Sequence, residues 1–239
     1  MSLKNYDVVY LVKNTEYNGE LRYSVRSVVK NFPHRKIWFV GGLPKGIKPD
    51  YYQPVDQSEK TTHKDKYDNV AKLRKAILDN KGISTNFILF NDDFFILKPV
   101  KKLPNYINGD LETLISYVQK NAGVPHSRYI HIIEYMLRAL DDDHLPQRNF
   151  ELHIPMMINK KALQFIVDRY GVFRRSLYGN NFYKLEDCES IKDVKIYSNM
   201  QLPTEDQTFV STTDASFNQG VIGQYIRELF SEPCEYEYE

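Results

Sequence analysis

Residues 83–99, Ile-Ser-Thr-Asn-Phe-Ile-Leu-Phe-Asn-Asp-Asp-Phe-Phe-Ile-Leu-Lys-Pro, constrain this chain more than any other stretch. Phe87, Ile88, Leu89 and Phe90 form an apolar run of the kind expected of a strand buried on both faces of a parallel sheet. The run stops at Asn91-Asp92-Asp93, and apolar residues resume at once from Phe94 to Leu97. Open α/β sheets bind ligands at the carboxyl ends of their strands, which is where these acids fall. Adjacent carboxylates repel, so a cation is expected to compensate them. Their oxygens suit Mg²⁺ or Mn²⁺, and those ions suit phosphate oxygens. Strand periodicity sets Asn91 and Asp93 on one face. The competing reading is a strand end capped by solvated acids, or Asp93 as a helix cap.

The chain before this stretch alternates strand and helix. Residues 7–12 read as a buried first strand, followed by a polar turn over 13–19 in which Asn18 is a plausible helix cap. Leu21, Val25, Val28, Val29 and Phe32 share one helical face, Arg22 and Arg26 share another, and Pro33 stops the helix. Residues 36–40 form a second strand ending in Gly41-Gly42, and residues 51–55 a short third. Residues 66–78 are helical, with Val70, Leu73, Ile77 and Leu78 inward. This order implies a mostly parallel sheet with right-handed crossovers.

The second half is less regular. Helices are expected over 111–118, 129–140, 160–170 and 219–230, and extended chain over 150–158, 194–197 and 208–210. Asp141-Asp142-Asp143-His144 reads as a solvated helix end rather than a metal site, and the acidic stretch 232–239 as frayed. No repeat or linker divides the chain. One α/β domain over 1–239 is expected, with a nucleotide-binding half (1–105) and an acceptor-side half (106–239).

The formal net charge of +1 gives no global footprint for nucleic acid and argues against it as a partner. Cys188 and Cys234 form neither metal spacing nor disulfide framework, which suits a reducing, cytoplasmic setting. The chain carries no signal peptide and no apolar run long enough to span a bilayer. Its 18 tyrosines suit either a carbohydrate or nucleotide site or half-buried packing.

Smaller features carry two readings each. Gly41-Gly42 lets a nucleotide approach the backbone, or makes an ordinary turn. Neither a dinucleotide fingerprint nor a P-loop is present. His153 lies in an extended segment among apolar neighbours, as a structural histidine or a proton acceptor. Arg174-Arg175 clamps a phosphate or faces solvent. Asp214 caps the last helix or faces the site, and the local sequence favours the cap.

Together these stretches resemble the Stealth-type proteins, which are capsular polysaccharide phosphotransferases and their relatives. Glu20-Leu21-Arg22-Tyr23-Ser24-Val25-Arg26-Ser27-Val28 resembles that family's arginine-containing second region, and residues 7–12 its first. Residues 87–95, with Asn-Asp-Asp, are the closest match. His153-Ile154-Pro155 and the residues to Lys160 resemble the third region, in which a His-x-Pro precedes a helix. The chain departs from the family at Leu11-Val12-Lys13-Asn14, where Trp-Val-Asp or Trp-Val-Asn is usual, and at Tyr67-Asp68-Asn69-Val70 in place of Phe-Asn-Ser. It is also short, like a compact, divergent branch.

The resemblance implies a GT-A-like sheet and a nucleotide-diphosphate sugar as donor. Stealth enzymes transfer hexose 1-phosphate, whereas the related GT-A glycosyltransferases transfer the sugar itself with an Asp-x-Asp on the same kind of strand end. Asn91-Asp92-Asp93 suits either. On this reading Asp92 and Asp93 hold Mg²⁺ or Mn²⁺ against the diphosphate, and Gly41-Gly42 helps seat the nucleotide. Arg22, Arg26, Arg174 and Arg175 are phosphate contacts. His153 or Asp214 is the base for a hydroxyl of a glycan-type acceptor. The alternatives are a non-catalytic carbohydrate- or nucleotide-binding protein of the same fold, and a DNA-base glycosyltransferase.

Overall fold

A computed structural model describes residues 2–58, 63–121 and 127–238. It is a mixed α/β structure whose mostly parallel sheet is flanked by helices, and the chain divides into two compact units. The first unit comprises residues 1–103, 153–160 and 194–239, and the second residues 104–152 and 161–193. From the sequence, one domain over 1–239 is expected, with its halves divided at 105.

In the first unit, β1 (Asp7–Val12), β2 (Ile37–Gly41), β3 (Tyr51–Pro54) and β4 (Asn86–Asn91) are parallel. With β7 (Met156–Asn159) they form a sheet in the order β3-β2-β1-β4-β7. The edge strand β7 runs antiparallel to β4, pairing Met156 with Leu89. All residues of β1, β2 and β4 but Leu11, Asn86 and Asn91 are buried, as continuous apolar strands under helices should be. The order reverses between β1 and β4, so the crevice at their carboxyl ends is the topological switch point of the sheet.

The helix α1 (Gly19–Asn31) crosses from β1 to β2. Asn18 caps it, accepting from Leu21 N at 2.9 Å. Leu21, Val25 and Val28 are fully buried, which stabilises by roughly 1.5–3 kcal/mol each. A second, polar stripe of α1 is buried too. The Ser24 hydroxyl donates to Phe94 O, Ser27 Oγ accepts from Ile96 N at 3.0 Å, and Asn31 Nδ2 donates to Ile96 O at 2.7 Å. These side chains satisfy the backbone of β5 (Phe94–Ile96), the strand that follows the two acids. A sequence reading for apolar faces passes over this stripe, because serine and asparagine look solvent-facing.

The strand β5 pairs antiparallel with β10 (Phe209–Thr212), which pairs in parallel with β9 (Lys195–Ile196). Under this small sheet lie α7 (Asp214–Gln219) and α8 (Val221–Leu229), whose core holds Phe95, Ile196, Val210, Phe217, Ile222 and Ile226. The closing helix expected over 219–230 is α8, and a short helix not expected from the sequence, α7, precedes it across Gly220. The helix α2 (His63–Asp79) lies between β3 and β4, near the expected span.

The stretch 232–238 is not frayed, and Glu239 lies outside the described residues. Arg26 is 8% exposed and grips Glu237 bidentately, Nε to Oε1 at 2.6 Å and Nη2 to Oε2 at 2.7 Å. Its Nη1 donates to Phe230 O and Ser231 O. Tyr238 N donates to Gly46 O, Lys48 N to Tyr236 O, and the Tyr236 hydroxyl to Asp50 at 2.8 Å. Acidic composition suggested a loose end, yet Glu237, Tyr236 and Tyr238 each meet a specific partner. Removing one member of a buried ion pair leaves the other charge uncompensated, at roughly 3 kcal/mol or more. Arg26→Ala is therefore expected to lower stability by that amount and to make residues 231–238 protease-sensitive. Denaturant unfolding and limited proteolysis check this.

The second unit holds a two-stranded sheet, β6 (Asn105–Ile107) parallel to β8 (Cys188–Ser190). Its helices are α3 (Leu111–Asn121), α4 (Ser127–Asp142), α5 (Lys160–Tyr170), which begins at the boundary, and α6 (Arg175–Phe182). The acidic run ends α4 as expected. His144 adopts φ 54°, Leu145 N reaches back to Leu140 O, and the Asp143 carboxyl is pulled down to about 2 by Arg169 and Tyr170. No helix among the described residues is long and apolar enough to cross a membrane.

Candidate active site

At the switch point, Asp92 and Asp93 form a tight turn between β4 and β5. Asn18 caps α1 with its oxygen, and its amide donates to Asp92 Oδ2 at 2.7 Å. The same residue therefore fixes both the start of the helix and the first acid. Asp93 is held by the small sheet. Ser211 Oγ donates to its Oδ2 at 2.9 Å, the Lys195 ammonium pairs with the same oxygen, and Thr212 N donates to its carbonyl. Two ammonium groups lie at the acids, Lys195 on Asp93 and Lys13 beside Asp92.

Two further carboxyl groups join. Glu20, in the first turn of α1, is 6% exposed and accepts from Thr212 Oγ1 at 2.7 Å. Asp214 lies 3.6 Å from Lys13 Nζ and hydrogen-bonds the Glu20 carboxyl. Asp214 is the first residue of α7, not its cap. Thr213 is the cap, in a reciprocal box with Ser216.

Burial and neighbouring charge shift three of these groups, Glu20, Asp92 and Lys13. Burial pushes the Glu20 carboxyl up to about 8, and the charges of Asp92 and Asp93 add to this against the Thr212 hydrogen bond. Burial also raises Asp92, opposed by Asn18 and Lys13. Burial works against the Lys13 ammonium, but Asp92, Asp214 and Glu20 more than offset it and hold its pKa above the usual lysine value. A carboxyl raised on folding binds more protons folded than unfolded between its two pKa values. Its stability contribution is complete below the unfolded value and is lost as pH rises through about 8. Melting temperature is thus expected to fall between pH 5 and pH 8, and Glu20→Gln, which mimics the protonated form, to flatten that slope. Thermal melts of both proteins across this range check it.

Both hydrogen bonds on the Asp93 carboxylate fall on Oδ2, and Oδ1 accepts none from the described residues. Two adjacent carboxylates suit a hard divalent ion. Among the described residues no group of three His, Cys, Asp or Glu side chains is arranged for a metal. The donor set fits an ion of the Mg²⁺ type, held by one or two carboxylates and completed by phosphate oxygens and water, rather than an all-protein cage.

The other expected residues are distributed as follows. His153 lies three residues before β7, half-buried between Leu152 and Ile154, which are 3% and 4% exposed. Because β7 is antiparallel to β4 and starts beside Leu89, the chain just before it comes from the side of the carboxyl end of β4, the edge that carries the acids. Gly41, at φ 124°, and Gly42 serve the backbone. A Cβ on Gly41 would stand 2.1 Å from Val12 O, and one on Gly42 2.5 Å from Lys13 O. They let β2 close against the turn after β1. Arg26 is committed to Glu237, and Arg22 lies 3.7 Å from the same carboxylate. The helical face they share meets residues 231–238 rather than a phosphate. Arg174 and Arg175 belong to the second unit, at the start of α6.

Sequence reasoning missed Lys13, Glu20, Lys195, Ser211 and Thr212. One signal was available for Lys195, a lysine between Val194 and Ile196 in a short apolar strand.

No protein-family model matches the chain, and no curated protein matches it. Among solved structures it aligns with the galactosyltransferase LgtC in complex with donor and acceptor sugar analogues. That alignment covers 95% of this chain and 96% of that one, at 12% identity and a TM-score of 0.44. The glycosyltransferase GlyE of Streptococcus pneumoniae TIGR4 aligns over 79% of this chain and 45% of its own, at 11% identity and a TM-score of 0.36. Mouse xyloside xylosyltransferase 1 in its apo form aligns over 97% and 96%, at 11% identity and a TM-score of 0.32.

Proposed function

We propose that this chain is a metal-dependent transferase with a GT-A-like fold, using a nucleotide-diphosphate sugar and moving the sugar or its 1-phosphate to a hydroxyl of a glycan-type acceptor. The observation that carries this reading is the pair Asp92 and Asp93 at the switch point of a parallel sheet, backed by Lys13 and Lys195. Opposed carboxylates and ammonium groups in one crevice suit a ligand that brings both signs of charge, as a diphosphate with its cation does.

Asp92 and Asp93 hold the ion, which when bound offsets charge on the diphosphate. The Asn18 amide keeps Asp92 oriented. Lys13 attracts the phosphates while Asp214 anchors its ammonium. His153, at the same sheet edge, takes the proton of the acceptor hydroxyl. Asp214 is the second candidate for that proton, being exposed at the same site beside Lys13. These steps use side chains of the first unit alone.

The test is a screen of nucleotide-diphosphate sugars with Mn²⁺ or Mg²⁺, with products weighed by mass spectrometry. A released nucleoside diphosphate identifies sugar transfer, and a released monophosphate identifies phosphosugar transfer. Water can serve as acceptor. Binding of donors with no turnover under any condition would overturn the enzymatic reading in favour of a non-catalytic binding protein.

A further inference from the structure

The Lys195 ammonium occupies an oxygen of one of the two acids assigned to the ion. This pairing is set by strand register. Lys195 of β9 lies beside Ser211 of β10, and both reach Asp93 Oδ2. The Lys195 side chain is 12% exposed and that of Asp93 16%, so water solvates neither partner well. Separating them needs a substitute for each. A divalent ion, with twice the charge and a shorter approach to oxygen, is a substitute for the ammonium on Asp93. A diphosphate oxygen is a substitute for the carboxylate on Lys195.

We propose that Lys195 is a place-holder cation, displaced from Asp93 by the divalent ion and passed to the diphosphate. The proposal rests on the reading of Asp92 and Asp93 as ligands of that ion. It makes ion and diphosphate depend on each other. The ion alone must evict an ammonium that then has no anion to receive it, and the diphosphate supplies that anion. Each ligand therefore raises the affinity of the other by the same factor. It also prevents the acids from binding an ion firmly when no donor is present.

The experiment is calorimetry on the full chain with Mn²⁺ alone and with Mn²⁺ in the presence of UDP, for the parent, Lys195→Met and Lys195→Arg. Lys195→Met keeps the length of the side chain and removes the charge. It is expected to bind Mn²⁺ alone about tenfold more tightly than the parent, or roughly 1.4 kcal/mol. UDP should then enhance its Mn²⁺ affinity less. Lys195→Arg, which keeps the charge, should bind Mn²⁺ like the parent. Lys195→Met binding Mn²⁺ no more tightly than the parent overturns the exchange and leaves the metal reading standing. Absence of Mn²⁺ binding by the parent with UDP overturns both. A measurement on the parent avoids any folding defect of the variant. Acetylation of Lys195 by acetic anhydride, read by mass spectrometry, should rise on adding Mg²⁺ at a concentration shown by calorimetry to saturate the parent without UDP, and fall again with Mg²⁺ and UDP. Labelling that Mg²⁺ leaves unchanged overturns the exchange.

Discussion

Asp93→Asn is expected to abolish transfer, with turnover falling by about a thousandfold or more, while the protein stays folded. That loss corresponds to roughly 4 kcal/mol, the scale of the charge stabilisation a bound metal supplies to a transition state. The amide keeps the shape of the side chain and its oxygen can still accept from Ser211 and Lys195, so the turn between β4 and β5 is kept, at a cost in stability from the Lys195 ammonium left without its counter-charge. Losing a negative charge beside Asp92 and Glu20 also relieves repulsion that raises the Glu20 carboxyl. What disappears is the charged oxygen offered to a hard cation. Calorimetry with Mn²⁺ and nucleotide, beside a thermal melt, separates the two effects. Equal Mn²⁺ affinity in variant and parent would remove Asp93 from the metal site.

His153→Ala carries the second large effect. It is expected to keep nucleotide-sugar affinity within about threefold and to cut turnover by about a hundredfold or more, as loss of a general base does. Buried Leu152 and Ile154 anchor the segment on either side, so it should hold its place without the imidazole. His153→Asn still donates a hydrogen bond but takes no proton at neutral pH, and should be nearly as impaired. An asparagine variant that turns over like the parent would make His153 a loop-holding residue. The Asp214 carboxylate would then be the base to test.

The strands β1, β2 and β4 were legible because burial on both faces leaves an unbroken apolar run that a short window detects. The acids at Asp92 and Asp93 were legible because they interrupt such runs. The rest of the site was not, because its residues are brought together by strand register over long separations. Lys195 reaches Asp93 across 102 positions and Thr212 reaches Glu20 across 192, and neither has a local motif. The arginines misled for a related reason. Arg22 and Arg26 share a helical face, as periodicity requires, but periodicity does not say what that face meets. Composition misled at residues 232–238, where an acidic run resembles a solvated end until its partners are known. The reversal at β7 was hidden too, since an extended run carries no mark of its direction.

The grip of Arg26 on Glu237 also bears on how the chain is made. Arg26 leaves the ribosome early, and its partner follows 211 residues later. In that interval the guanidinium sits on a helix built to be covered, with nothing to neutralise it. Residues 104–152 and 161–193 are complete before then, so the inserted unit can fold while its host waits. A contact of such long range closes slowly, and an unfinished host exposes apolar surface meanwhile. The order of synthesis thus leaves the Arg26–Glu237 contact to form last, after the inserted unit, once residues 231–238 have emerged.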